Sequence, residues 1–238
     1  MPMVDFPLKI VGMCSLYEPL AFLQNRIRNL NQCDLLEATI FFADCSSEPT
    51  WKEVQKVITS DCKFRYRLHH FNTRTTLYYT WDWIIGQTLN DGVVYYCNSN
   101  VDDIQDPLYF RKMSQFLDQN PQAKIVACPW YVTKTKGQIW PPKYDLQTGP
   151  TVNTTMGHFP MWRADLHRVG IMFDERMLAV GDSYFWSAVR TKYGPSVFAI
   201  HPEILSCYLT HENNLYYAAR GPRGESGEAW DRSIAGKR

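Results

Sequence analysis

No Cys-x-x-Cys pair occurs in this sequence, no run of about eighteen apolar residues crosses it, and neither sign of charge dominates. Seven cysteines make an odd set, and Cys14, Cys45, Cys97 and Cys128 fall in or at the ends of strand-like runs. Buried, reduced thiols in a cytosol-like compartment fit that pattern better than a disulfide framework or a zinc site. The opening "MPMVDFPLKIV" has no basic stretch followed by an apolar one and a small-residue cleavage site, so the expectation is a soluble, unprocessed, cytoplasmic chain without a transmembrane segment. Lys and Arg total 25 against 24 Asp and Glu. A net charge of +1 gives no overall attraction to nucleic acid or an anionic membrane, although a local patch is compatible with it. There is also no internal repeat and no low-complexity block.

What is present is a regular alternation. Leu8 to Cys14 reads as a strand, and Leu20, Leu23, Ile27 and Leu30 then recur at helical spacing. Glu37 to Ala43 is a second strand, followed by a helix marked by Trp51, Val54, Val57 and Ile58. Phe64 to His70, a helix from Thr75 to Leu89, the strand Val93 to Cys97 and a helix opened by Asp106-Pro107 continue the series. Strands alternating with helices predict an α/β fold, a mostly parallel central sheet with helices on both faces. Ligands of such sheets bind beyond the carboxyl ends of the strands. The second half is less periodic: Lys124 to Val132 reads as one strand, Lys134 to Gly157 as a long proline-broken segment, and "GDSYFWSAVRTKYG" as a helix. A flexible tail is expected over 220–238, which is rich in Gly, Arg, Ser and Glu.

Three polar clusters stand at the strand ends: "CSLYE", "DCSSE" and "NVDD". Their order along the chain resembles the nucleotide-sugar-binding half of the family 2 glycosyltransferases, whose Rossmann-like fold is called GT-A. "FFADCSSEPT" is similar to the family's second-strand acidic turn, "NVDD" to its Asp-x-Asp-Asp metal motif, and "GDSYFW" to the segment with its catalytic base. Asn100 stands where the motif has its first Asp, and Gly181 precedes Asp182 where many members have Glu. The Gln-x-x-Arg-Trp signature of processive members is missing, which favours transfer of a single sugar.

The resemblance implies one GT-A domain over 1–219, with a nucleotide-sugar half (8–118) and an acceptor half (119–219). It implies inverting, metal-assisted transfer from a nucleotide-sugar donor, a UDP-sugar being favoured, to a carbohydrate or other hydroxyl; a nucleic-acid hydroxyl stays among the compatible acceptors. Asp102 is the first choice for direct ligand of Mn2+ or Mg2+, with Asp103 bound through water or to the donor ribose, and His211 brought to the metal or diphosphate. Ser15, Tyr17, Asp44, Arg74 and Asn100 fall at donor-binding positions. Asp182 falls at the base, and His158 and Trp162 border the acceptor.

Each residue also has a plainer reading. Asp102-Asp103 is commonly a solvated turn, Asp44 an N-cap or Asx-turn, Tyr17 and Trp162 core rings, Arg74 a solvated cation, Asp182 an N-cap, and His158 and His211 structural histidines. Two other functions share the architecture. A sugar-nucleotide-forming nucleotidyltransferase normally has a glycine-rich basic loop after its first strand, which "CSLYEP" lacks. A non-catalytic nucleotide- or carbohydrate-binding module has no need of Asp182.

Overall fold

A computed structural model describes residues 8–144, 146–148, 156, 159–211 and 225–235. The first half follows the predicted alternation: β1 (Ile10–Leu16), α1 (Leu20–Leu30), β2 (Ala38–Asp44), α2 (Glu48–Asp61), β3 (Tyr66–His70), α3 (Leu77–Thr88) and β4 (Tyr95–Asn98). After a short β5 (Ile104–Gln105) comes α4 (Tyr109–Gln119), whose start is fixed by Asp106: its Oδ1 accepts from Leu108 N at 2.7 Å and its carbonyl from Tyr109 N.

The remainder is β6 (Ile125–Ala127), β7 (Trp130–Thr133), β8 (Leu146–Thr148), β9 (Met161–Arg163), α5 (Asp165–Arg168), α6 (Gly181–Tyr193), β10 (Phe198–Ile200), β11 (Ser206–Leu209) and α7 (Gly227–Ala235). Three expectations change here. The strand read over Lys124 to Val132 is two strands in different sheets, broken at Cys128-Pro129, where proline has no N–H for a ladder. The aperiodic segment after Lys134 contains β8, which pairs antiparallel with β7. The flexible-tail reading of 220–238 is corrected over 227–235, where α7 docks: Trp230 packs on the core and Asp231 is 0% exposed.

Seven strands form the central sheet in the order β10-β6-β9-β4-β1-β2-β3, parallel except for β9, which runs antiparallel between β4 and β6. A smaller sheet has the order β5-β11-β7-β8. Period-two alternation on the buried strands sends side chains to two cores. Ile10, Cys14, Leu16, Ile40, Phe42 and Cys97 meet α1, α2 and α4 on one face, while Val11, Met13, Phe41 and Tyr96 meet α3 and α6 on the other. With β1, β2, β3 and β4 all parallel, their carboxyl ends open on one rim, and α3, which follows β3, begins at that rim.

Candidate active site

Asp44 ends β2 and is 0% exposed. Its Oδ1 accepts from Ser46 N at 3.0 Å and its Oδ2 from Ser46 Oγ at 2.9 Å, so the Asx-turn is present. Burial raises its pKa, and the Ser46 hydrogen bonds oppose the rise. His70, beside Asp44 across the β2–β3 ladder, donates from Nε2 to Ser46 O at 3.1 Å and stacks on Trp51 with centroids 4.6 Å apart. Glu18, at φ 47°, accepts from Ser47 N at 2.9 Å and from Thr50 Oγ1 at 2.5 Å, and these bonds hold its carboxyl below the ordinary range. The first two strand-end turns are thereby locked together. Tyr17 projects from them half exposed, with the Arg74 guanidinium 4.3 Å above its ring. The Ser15 hydroxyl has no hydrogen-bond partner among the described residues.

The third turn, after β4, rests on a buried cation. Arg26 belongs to the apolar face of α1, is 0% exposed, and donates from Nη1 to Asn29 Oδ1 (2.9 Å) and Asp103 O (3.2 Å). From Nη2 it donates to Ser99 Oγ (2.5 Å) and Gln105 Oε1 (2.6 Å). Adjacent carboxylates repel each other and lose hydration there, and the guanidinium beneath offsets part of that cost. Asp103 is 2% exposed, accepts from Asn100 Nδ2 at 3.1 Å, and is pushed well above the ordinary carboxyl range by burial and then by the neighbouring Asp102 charge. The Asn100 bond goes to Asp103 Oδ2, while Asp103 Oδ1 has no hydrogen-bond partner among the described residues.

Asp102 stays partly exposed, and its Oδ2 is 2.9 Å from Nε2 of His211, 109 residues away. The last strand of the small sheet, β11, carries the chain to that point. Phe22 packs on the imidazole at 4.7 Å, and Lys136 Nζ stands 5.2 Å from the Phe22 ring centre. The segment bearing Lys136 is tethered to α1, since Asn25 Nδ2 donates to Gln138 O at 2.5 Å. A carboxylate and an imidazole already held face to face are donors that Mn2+ accepts. Among the described residues no third His, Cys, Asp or Glu joins them.

Asp182 opens α6, partly buried. Its Oδ1 accepts from Ser183 N at 2.8 Å and from the Tyr78 hydroxyl at 3.4 Å, and the same hydroxyl reaches Ala179 O at 3.1 Å. Because Tyr78 lies in the first turn of α3, Asp182 is placed at the rim where the strand-end turns open. Burial raises the Asp182 pKa to about 6, against the lowering effect of its hydrogen bonds with Ser183 and Tyr78. Gly181 is explained by a close approach: a Cβ there would come 2.7 Å from the Tyr78 ring.

His158 lies outside the described residues. Trp162, read as an acceptor neighbour, is corrected to a core ring. It is 0% exposed, packs against Phe173, Phe185 and Trp186, and donates from Nε1 to His167 Nε2 at 2.8 Å. Burial lowers the pKa of that histidine to about 4, consistent with its accepting role.

Arg26, His70, Tyr78 and Asp231 were not singled out by the sequence reading. Arg26 had a signal, a cation in an apolar slot of a helix bearing Leu23, Ile27 and Leu30.

The sequence matches no described family and no curated protein. Its fold matches solved structures. Staphylococcus aureus TarS 1-349 in complex with UDP-GlcNAc superposes at a TM-score of 0.70 with 14% identity, over 90% of this chain and 62% of that one. The mannosyltransferase PcManGT from Pyrobaculum calidifontis, in complex with GDP-Man and Mn2+, gives 0.63 and 10%, over 89% and 59%. Glucosyl-3-phosphoglycerate synthase from Mycobacterium tuberculosis, with Mn2+, UDP and glucosyl-3-phosphoglycerate, gives 0.55 and 9%, over 85% and 72%. This chain thus spans less than two thirds of the TarS and PcManGT chains. The mostly parallel sheet with helices on both faces is the GT-A fold of glycosyltransferases. No described helix is long and apolar enough to cross a membrane.

Proposed function

We propose that this protein is a glycosyltransferase that moves one sugar from a nucleotide-diphosphate-sugar, with a UDP-sugar favoured, to an acceptor hydroxyl with inversion. The observation that carries the reading is the meeting of Asp102 and His211 at 2.9 Å on the rim beside the Asp44 turn. Two donors so far apart in sequence have no common helix or hairpin to explain their contact. Asp102 and His211 would hold the divalent ion, which neutralises charge on the leaving diphosphate when bound. Asp44, Ser15, Tyr17 and Arg74 frame the nucleoside side, with the Arg74 cation available to phosphate. Asp182, with a pKa near 6, is mostly ionised at pH 7, and takes the proton from the acceptor hydroxyl as the bond to the sugar carbon forms.

The test measures binding of UDP and GDP with and without Mn2+, in the wild-type protein and in Asp102→Ala. Nucleotide affinity should fall on chelation, and the variant should show the weak affinity even with metal present. Unchanged metal-dependent affinity in a folded Asp102→Ala protein removes Asp102 from the site. Slow release of nucleoside diphosphate from the sugar donor identifies the transferase. Release of pyrophosphate from a nucleoside triphosphate and sugar phosphate identifies a nucleotidyltransferase instead, and binding without turnover a carbohydrate or nucleotide module.

A further inference from the structure

The chain from Ile171 to Val180 has no regular helix or strand, yet it must deliver Asp182 at the start of α6. No side chain caps that helix from its own N-cap residue, Val180. Instead, three successive backbone N–H groups just before it converge on one carboxylate from the far end of the sequence. Leu178 N donates to Asp231 Oδ1 at 2.7 Å, and Ala179 N and Val180 N each donate to Asp231 Oδ2 at 2.8 Å. Consecutive N–H groups of this kind form an anion-binding nest, and here the occupant comes from α7. The Asp231 side chain is wholly buried, and the neighbouring Trp230 donates its indole N–H to Arg176 O at 3.2 Å. Arg176 is itself fastened to the Asp174 carboxylate by its backbone N–H at 3.1 Å and by two guanidinium hydrogen bonds at 2.9 and 2.8 Å.

We infer that Asp231 is a positioning residue: by clamping the backbone of 178–180 it sets where the Asp182 carboxylate stands, which makes α7 part of the catalytic apparatus. This rests on the reading of Asp182 as base. The chemistry of the clamp is specific, because two carboxylate oxygens only accept and three N–H groups only donate. An asparagine would turn an N–H donor towards one of them. The Asp182 carboxylate is also held by Tyr78 of α3, through the same Oδ1 that accepts from Ser183 N, so α3 and α7 together fix its position. Asp231 also adds negative charge near Asp182, and that contributes to the raised pKa after burial.

The experiment compares wild type with Asp231→Asn in the full chain, reading four quantities: nucleotide affinity, kcat, the midpoint of the pH–rate profile, and amide exchange at 178–180. Nucleotide affinity should be unchanged. Misplacing a reactive group by about 1 Å costs on the order of 100-fold, so kcat should fall by about that factor. The pH midpoint should move to lower pH, and exchange at the three amides should quicken. A folded variant with wild-type kcat and midpoint overturns the inference and leaves Asp231 as an anchor for α7 alone.

Should Asp231→Asn not fold, Trp230→Phe loosens the same docking by deleting the indole N–H bond to Arg176 O together with part of the ring that packs on the core. Faster exchange at 178–180 with lower kcat supports the clamp, and faster exchange with unchanged kcat overturns it. If wild type transfers no sugar, the base assignment fails by itself. Amide exchange at 178–180 then still judges the clamp: quicker exchange in Asp231→Asn supports it, and unchanged exchange overturns it.

Discussion

Replacing Arg26 by Met tests whether the acidic turn depends on the cation beneath it. Methionine keeps most of the stem volume and removes a guanidinium that makes four hydrogen bonds between 2.5 and 3.2 Å. Hydrogen bonds to a charged group contribute about 1.5–3 kcal/mol each. Adding four overshoots, because Asn29 Oδ1 keeps a second donor, Gln105 N at 2.9 Å. Breaking a buried ionic group costs about 3–5 kcal/mol, a large part of a total stability of about 5–15 kcal/mol.

The loss should also depend on pH. Burial, with the Asp102 charge, already lifts the Asp103 carboxyl, and Arg26 opposes the lift. A carboxyl raised in the folded state loses its proton more readily when unfolded, so stability declines as pH climbs above the unfolded value of about 3.9. Without Arg26 that decline continues to higher pH. Urea unfolding in metal-free buffer should therefore show a larger difference between variant and wild type at pH 8 than at pH 5. A deficit below about 1 kcal/mol at both pH values, or one that shrinks at pH 8, refutes the account.

Asp182→Asn keeps the shape and a capping oxygen, so donor binding should hold while transfer falls by about 100- to 10,000-fold. In the wild type, transfer should rise with pH through a midpoint near 6, because the base works only when deprotonated; a flat profile from pH 5 to 7.5 speaks against it. Gly181→Ala drives a methyl into the Tyr78 ring and should cost about 1–3 kcal/mol by thermal or urea melting, where an unchanged midpoint would mean the contact relaxes freely. Trp162→Ala should lower stability by about 3–5 kcal/mol as a core deletion does, and a stable variant with altered acceptor selectivity would reinstate Trp162 as an acceptor neighbour.

The first half was legible because each β–α unit announces itself. Apolar runs such as "ATIFFA" are fully buried on both faces, and helical spacing follows. The second half was not, since β9 has only three residues and β8 another three, too short for any period to show. The turn residues Asp44, Asp102 and Asp182 were found through their order along the chain, which resembled a family. The contacts that give them an environment come from elsewhere in the sequence: Arg26 hides among apolar helix positions, and Asp231 sits in a segment whose Gly, Arg, Ser and Glu content reads as a tail. Trp162 was misread for the opposite reason, since an aromatic side chain does not reveal from sequence whether it faces in or out.

The antiparallel β9 has a consequence for how the chain comes together. It is the one strand that bonds the β4 edge to β6, so the strands before and after residue 119 share a continuous ladder. A fragment stopped at that point would leave the β4 backbone donors and acceptors as a raw border, flanked by Tyr95 and Tyr96, and such borders recruit other chains. The sheet is completed only when a segment some sixty residues downstream returns. Long-range closure of this kind makes assembly slow, and it ties the upkeep of the turn after β4 to a strand that arrives late in the sequence.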